Sequence, residues 1–200
     1  SDLTSSHLSY LDIGCDHGLL EVYLLKKNIK IVGTDNKQGP LDNAKKNYKS
    51  NKVDGELRLG DGLDTYNGED GMGGLNIISI IRNNISKIKD IDTFILSPNN
   101  YIEAVRKYLV KIGYYIDNEL LVKDKYIYNI LVFKKGKKRY KKKEYYFGPI
   151  LLKNKDKLFY EYYERELKSN QIIQKLLPKN DWSRQFLIKK KIKMIESELK

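Results

Sequence analysis

The stretch Leu8-Ser9-Tyr10-Leu11-Asp12-Ile13-Gly14-Cys15-Asp16-His17-Gly18-Leu19-Leu20 constrains the fold more than any other part of the chain. An apolar run with a strand's composition ends in Asp-x-Gly-x-Asp-x-Gly, and a segment with helical spacing follows. Gly14 and Gly18 let the backbone turn sharply and approach a ligand closely. A helix starting near Leu19 aims its unpaired amide groups into the same crevice. Asp12, at the end of the first strand, places a negative charge there. That arrangement suits a cofactor with a cation beside a ribose better than a pyrophosphate.

A second acid follows at about 20 residues, the offset at which a second-strand carboxylate meets a ribose in nucleotide-binding α/β folds. Ile29-Lys30-Ile31-Val32-Gly33-Thr34-Asp35 is a β-branched strand ending in that acid. Asp35 can accept from both ribose hydroxyls, and Asn36 follows it. Glu56-Leu57-Arg58-Leu59-Gly60-Asp61-Gly62 repeats the design, with Asp61 placed for an adenine's exocyclic amine. Acids at three successive strand ends form the pattern of an S-adenosylmethionine pocket.

The alternation of strand and helix predicts a parallel, doubly wound sheet. Helices are expected at Leu19 to Lys27, with Leu20, Tyr23, Leu24 and Lys27 on one face, from Gly39-Pro40 onward, and at Leu75 to Ile81. Asp64 to Asp70 is polar and reads poorly as the buried central strand such a sheet needs. Ile91 to Leu96 reads as a buried strand, Tyr101 to Ile112 as a helix, and Tyr114 to Val122 with Tyr126 to Phe133 as a reversed strand pair. Beyond Gly148-Pro149, Leu158 to Leu177 and Phe186 to Leu199 read as two helices around Pro178-Lys179-Asn180-Asp181. Ile188, Ile192, Ile195 and Leu199 follow a 4-3-4 spacing that gives an apolar, coiled-coil-like seam.

Charge points to the partner. The 200 residues carry a formal net charge of +12, which indicates an anionic partner, most simply nucleic acid. Residues 134–143 hold eight basic side chains in ten. We read this run as a mobile loop that contacts RNA, through Lys134, Lys137, Lys138, Arg139 and Lys141, with Lys189 and Lys190 on the last helix as further contacts. One cysteine and two histidines are too few for a disulfide framework or a metal centre, and a lone cysteine fits a reducing compartment. No apolar run approaches the roughly 20 residues of a membrane helix. No signal peptide is legible. The expectation is a cytoplasmic, monomeric protein without metal.

Several motifs occur in a fixed order: Asp12-Ile13-Gly14-Cys15-Asp16-His17-Gly18, Gly33-Thr34-Asp35-Asn36-Lys37-Gln38-Gly39-Pro40, Gly60-Asp61-Gly62-Leu63-Asp64, Gly71-Met72-Gly73-Gly74, Ile95-Leu96-Ser97-Pro98-Asn99 and Tyr146-Phe147-Gly148-Pro149. In this the chain resembles the bacterial tRNA (adenine(22)-N1)-methyltransferase family over nearly its whole length. The resemblance implies a class I (Rossmann-like) methyltransferase domain, residues 1–147, followed by a C-terminal α-helical, coiled-coil-like hairpin, residues 148–200. It implies S-adenosylmethionine as methyl donor and tRNA as substrate. Cofactor contacts would come from Asp12, Gly14, Cys15, Asp35, Asn36, Asp61, Gly62, Gly71, Met72 and Gly73.

Methyl transfer to ring nitrogen 1 of adenine needs alignment more than proton removal, because the nitrogen already holds a lone pair. Groups that stabilise the cationic product are therefore sought. Asp16 and His17 in the first loop, and Pro98 and Asn99 at a strand end, are the candidates. Asn99 would hydrogen-bond the pairing edge of an extruded base, and Tyr101 or Tyr23 would stack on it. His17 reads as an orienting residue and Cys15 as a small packed one. Two alternatives stay open on residues alone. One is a class I methyltransferase acting on protein or a small molecule. The other is a non-catalytic RNA-binding protein on a methyltransferase scaffold.

Overall fold

The computed structural model describes residues 10–35, 37–60, 73–86, 88, 91–123 and 126–200. The expectations for Asn36, for Asp61 and Gly62, for the polar stretch 64–70 and for Gly71 and Met72 lie outside these residues. By packing, the chain divides into two compact units, Ser1–Asp90 and Ile91–Lys200.

The first unit alternates strand and helix: β1 (Tyr10–Ile13), α1 (Leu19–Leu25), β2 (Ile31–Asp35), α2 (Gln38–Asn51), β3 (Glu56–Leu59) and α3 (Gly74–Asn83). The three strands are parallel in the order β1-β2-β3, with Asp12 beside Gly33 and Thr34 beside Arg58. Leu24, Ile29 and Ile31 form a buried cluster beneath Tyr10 and Leu25. β3 ends this sheet among the described residues, and its Glu56 and Arg58 pair at 2.6 Å on the exposed side. Charged side chains of that kind suit a strand with one free edge.

Helix α1 departs from the expected face. Leu20 and Tyr23 are exposed, whereas Glu21, Val22 and Leu24 are buried. The helix stops at Leu25, so the turn that would carry Lys27 in a stripe with Leu20 does not form. Gly18 opens it at φ 68°, and a Cβ there would lie 2.8 Å from the Cβ of Ala44. Only glycine lets the loop rest this closely on α2.

The second unit comprises β4 (Thr93–Leu96), α4 (Ile102–Lys111), β5 (Tyr114–Lys123), β6 (Ile127–Lys135), α5 (Lys142–Phe147), α6 (Pro149–Asn154), α7 (Lys157–Leu176) and α8 (Trp182–Leu199). Its strands are antiparallel in the order β4-β6-β5. β4 is only half-buried, with Ile95 facing outward, so the expected buried strand is corrected. The basic run is not one loop: Lys134 and Lys135 close β6, and Lys142 opens α5. Helices α5 and α6 had no counterpart in the reading of the sequence. Phe147, Leu151, Phe159, Tyr163 and Ile195 close a core with Leu121 of β5. The predicted seam on α8 is real, since Ile192 and Ile195 are buried. The turn end of the hairpin is open, with Leu176, Trp182, Phe186 and Leu187 exposed.

One buried ion pair ties these elements together. Arg106 of α4 donates from Nε to Glu119 Oε1 of β5 at 2.6 Å, and neither side chain is exposed. Arg106 Nη1 also donates to the carbonyls of Tyr145 and Tyr146 at 3.0 and 2.9 Å. Glu119 Oε2 accepts from the amide of Ile150 at 3.1 Å. Burial pushes the Glu119 carboxyl above its ordinary range, and the Arg106 charge with the amides of Ile150 and Leu151 opposes that rise. Gly148 has φ 90°, and a Cβ there would strike the Glu119 carboxylate. Removing one partner of a buried pair costs about 3–5 kcal/mol, because the other charge is left uncompensated. Arg106→Met should therefore lower the urea midpoint of unfolding sharply, while a midpoint within error of the wild type would show that the pair is dispensable.

Candidate cofactor crevice and candidate base cavity

The crevice of the first unit is built where β1 and β2 end. After Ile13 the chain turns through Gly14 at φ 79° and Asp16 at φ 48°. The amides of Gly14 and Cys15 both donate to the carbonyl of Thr34, at 2.8 and 2.9 Å. The Thr34 hydroxyl returns a bond to the carbonyl of Asp12 at 2.9 Å. Strand ends β1 and β2 are thereby locked together. Asp35 is buried, and its two oxygens each accept one backbone amide: Oδ2 from Asp16 at 3.2 Å, Oδ1 from Lys37 at 3.0 Å. Each carboxylate oxygen retains a further acceptor position. The candidate ribose acid is thus held in place with acceptor capacity left over.

Asp16 and His17 lie in this loop, both largely exposed, with His17 Nε2 3.8 Å from Asp16 Oδ1. Asn47 of α2 fixes the loop by donating to the His17 carbonyl at 2.8 Å. Cys15 is buried, and burial together with the charges of Glu21, Asp12 and Asp35 pushes its thiol up to about 12. A thiol of that kind stays protonated and packs as a small residue. Gly73 caps α3, its carbonyl accepting from Asn76 and Ile77 at 2.9 and 3.1 Å. Tyr23, named above as a stacking residue, instead carries Lys27 Nζ over its ring at 4.7 Å.

Reading the sequence missed Glu21. It is fully buried in α1, and neither carboxyl oxygen has a partner with a hydrogen to give among the described residues. The nearby carboxyl is Asp12, and a proton on Glu21 is what lets the two hydrogen-bond. Burial first, then the Asp12 charge, pushes Glu21 up to about 8; burial also raises Asp12, helped by Asp35 and opposed by the bond from Glu21. Gly33 makes room for this pair, since a Cβ there would lie 2.7 Å from Glu21 Oε1. The signal was an acid on the same side of a short helix as Val22 and Leu24.

The second unit holds a cavity of about 440 Å³, within the roughly 300–1,000 Å³ range of small-ligand sites. Pro98 and Asn99, two of the candidate residues, are among its lining residues. The start of β6, Tyr126 to Asn129, and Tyr162 of α7 line the rest. Tyr101 is not among the lining residues; it caps α4 at φ 50° and is exposed. Tyr126, Tyr128 and Tyr162, which the sequence reading passed over, are among the lining residues. Asn129 was legible as the single polar residue inside Ile127-Tyr128-Asn129-Ile130-Leu131-Val132-Phe133.

Of the basic candidates, Lys137, Lys138, Arg139 and Lys141 are exposed and make no ion pair among the described residues. The same holds for Lys189 and Lys190 on α8. Lys134 is instead paired with Asp117 at 2.8 Å, a surface contact of small net value. No group of three or more metal-ligating side chains occurs among the described residues.

Comparison with known proteins follows the same lines. The profile of the family described as TrmK, tRNA (adenine(22)-N(1))-methyltransferase, matches residues 10–197. A Mycoplasma genitalium protein named "Putative tRNA methyltransferase MG248" is 36% identical over 73% of this chain and 72% of its own length. The tRNA (adenine(22)-N(1))-methyltransferase of Bacillus subtilis is 29% identical over 81% of this chain and 76% of its own. A Streptococcus pneumoniae structure solved with S-adenosyl-L-methionine superposes with a TM-score of 0.81 at 25% identity, covering 96% of this chain and 92% of that one.

The Glu21 carboxyl supplies a test of the crevice. Between about pH 4.5 and 8 the unfolded chain has released the Glu21 proton that the folded chain keeps, so stability falls as pH rises through that window. Glu21→Gln, neutral at every pH, should flatten that fall when melting temperature is followed from pH 5 to 8.5. A variant whose curve runs parallel to the wild type would remove Glu21 as the source.

Proposed function

Because the chain belongs to the TrmK family of tRNA (adenine(22)-N(1))-methyltransferases, we propose that the crevice at the ends of β1 and β2 seats the cofactor and that the cavity of the second unit serves the RNA. The reaction is transfer of a methyl group from S-adenosyl-L-methionine to ring nitrogen 1 of adenine 22 in tRNA. When bound, the cofactor supplies an electrophilic methyl group on a sulfonium.

What supports the seat is the Asp35 carboxylate, buried, held by two backbone amides and left with spare acceptor positions. It takes the ribose hydroxyls in this reading. Asp12 places its charge near the sulfonium side, and Glu21 beside it holds the proton that lets its own carboxyl stay buried. Gly14, Cys15 and Gly73 line the approach. The family's pattern assigns Asn36, Asp61, Gly62, Gly71 and Met72 to the same seat. Pro98 and Asn99 border the base in this reading, and the resemblance assigns Asp16 and His17 of the first loop to steadying the charge that develops on its ring.

The RNA side rests on charge. Lys137, Lys138, Arg139, Lys141, Lys189 and Lys190 are free to neutralise phosphates, and Lys134 joins them by leaving Asp117. Recognition through many phosphates reads shape more than sequence. The division at Gly148 is functional in this reading: residues 1–147 carry the chemistry, and 148–200, together with the basic run from Lys134, supply the grip on tRNA. The tail does more than grip, since its Tyr162 lines the cavity and its Phe159 and Tyr163 complete the core of the second unit. Truncation near Phe133 would remove both, so charge reversal is the cleaner probe. A tRNA substrate supports a cytoplasmic location.

Incubation with tRNA and S-adenosylmethionine should create a reverse-transcription stop at adenosine 22, because a methyl on the pairing edge blocks extension. An unmodified nucleotide 22 would defeat the reading. Reversal of Lys137, Lys138 and Lys141 to Glu should weaken tRNA binding and flatten its salt dependence, the slope falling by about 0.9 for each phosphate that is no longer neutralised. An unchanged slope would mean that the RNA docks elsewhere.

A further inference from the structure

One residue that lines the cavity of the second unit carries an unsatisfied polar atom. Asn129 lines it from β6 with only 3% of its surface exposed, and its Oδ1 has no hydrogen-bond partner among the described residues. Its amide nitrogen is engaged, because a hydrogen bond from Asn129 holds down the Tyr162 hydroxyl that burial and Glu166 push up. Leaving a buried acceptor unmade is costly, so such an atom is expected to meet a donor that arrives with a ligand. The lining also includes three aromatic residues, Tyr126, Tyr128 and Tyr162, with Pro98 and Asn99. A planar base with an N–H on its edge matches that lining; a phosphate or carboxylate does not, since a carbonyl oxygen repels both.

We propose that Asn129 is a specificity-determining residue: its Oδ1 accepts from the exocyclic amine of the target adenine and is the atom by which the enzyme requires that amine. The inference rests on the methyltransferase reading above and names the contact within it. Its chemistry favours the transition state. The lone pair of ring nitrogen 1 forms the bond to the methyl carbon, the carbon–sulfur electron pair stays on sulfur, and the positive charge passes to the ring. That charge spreads onto the exocyclic amine, so its N–H becomes a stronger donor as the reaction proceeds. A neutral hydrogen bond in the ground state becomes a charge-assisted one, and a contact that strengthens this way acts on kcat more than on KM. Guanine and uracil fit less well, whereas cytosine, which also presents an amine, is not told apart by this atom. Guanine and uracil both present a carbonyl oxygen where adenine presents its amine, and would face Oδ1 with a second acceptor.

The test is a chemical double-mutant cycle with full-length protein. Two tRNA transcripts are compared, one with adenosine and one with purine riboside at nucleotide 22, which lacks only the amine. The intrinsic difference in ring basicity is common to every enzyme variant and cancels. The wild type's adenosine-over-purine ratio in kcat should exceed that of Asn129→Leu by about tenfold to a hundredfold. Asn129→Asp, which keeps an acceptor at the same place, should retain the wild-type preference, and Tyr162→Phe, which leaves Oδ1 in place, should do the same. A ratio unchanged in Asn129→Leu overturns the assignment, as does a ratio that collapses in Asn129→Asp. If Asn129→Leu does not fold, as read by its binding of S-adenosylhomocysteine, Asn129→Asp decides. Equal wild-type rates on both transcripts overturn this contact alone. Absence of methylation on the adenosine transcript overturns the activity itself, and this contact with it.

Discussion

The ion pair of Arg106 and Glu119 is the contact on which the second unit depends. It lies where α4, β5, α5 and α6 meet, and it satisfies backbone groups of the last two as well as itself. Its charges are buried, so it adds little net stability over an apolar substitute, and its effect is to fix one arrangement. The Phe147-Gly148-Pro149 turn takes its form from that demand. Glycine is needed beside the carboxylate, and proline fits the first turn of α6 directly after it. Phe147 is then driven into the core that roots α7 and α8. The tail reaches the cavity through Tyr162 because that root is fixed.

The two carboxyl arrangements of the first unit solve opposite problems. Asp35 is held by backbone amides and stays a ready acceptor. Glu21 is fully buried against the half-buried Asp12 with no cation paired to either among the described residues, so one proton stays between them. Asp12 can thus present a charge to the crevice while the helix behind it remains neutral. Gly33 and Gly18 serve packing here: the first makes room for the Glu21 carboxyl, the second for Ala44.

Much of this was legible from the residues. Acids at strand ends and glycines in the first loop marked the parallel unit, because both follow from local backbone geometry, and the methyltransferase fold came from the family resemblance that the ordered motifs carry. The spacing of Ile188, Ile192, Ile195 and Leu199 gave the seam of α8 for the same reason. What escaped depends on contacts far apart in sequence. Glu21 was passed over because nothing local says that Asp12 lies against it. The stacking residues were sought at Tyr101 and Tyr23, while Tyr126, Tyr128 and Tyr162 meet only when β6 and α7 fold together. The basic run read as a loop because lysine composition hides that strand pairing extends to Lys135.

The central claim is that a crevice ending in Asp35 holds the methyl donor and that the cavity between Asn99 and Asn129 holds the base it methylates. A crystal structure of the chain with S-adenosylhomocysteine and its tRNA tests both together. The ribose hydroxyls should lie on the Asp35 carboxylate, and adenine 22 should stand out of the RNA with its exocyclic amine on Asn129 Oδ1. A base seated elsewhere, or a cofactor whose ribose does not touch Asp35, would contradict it.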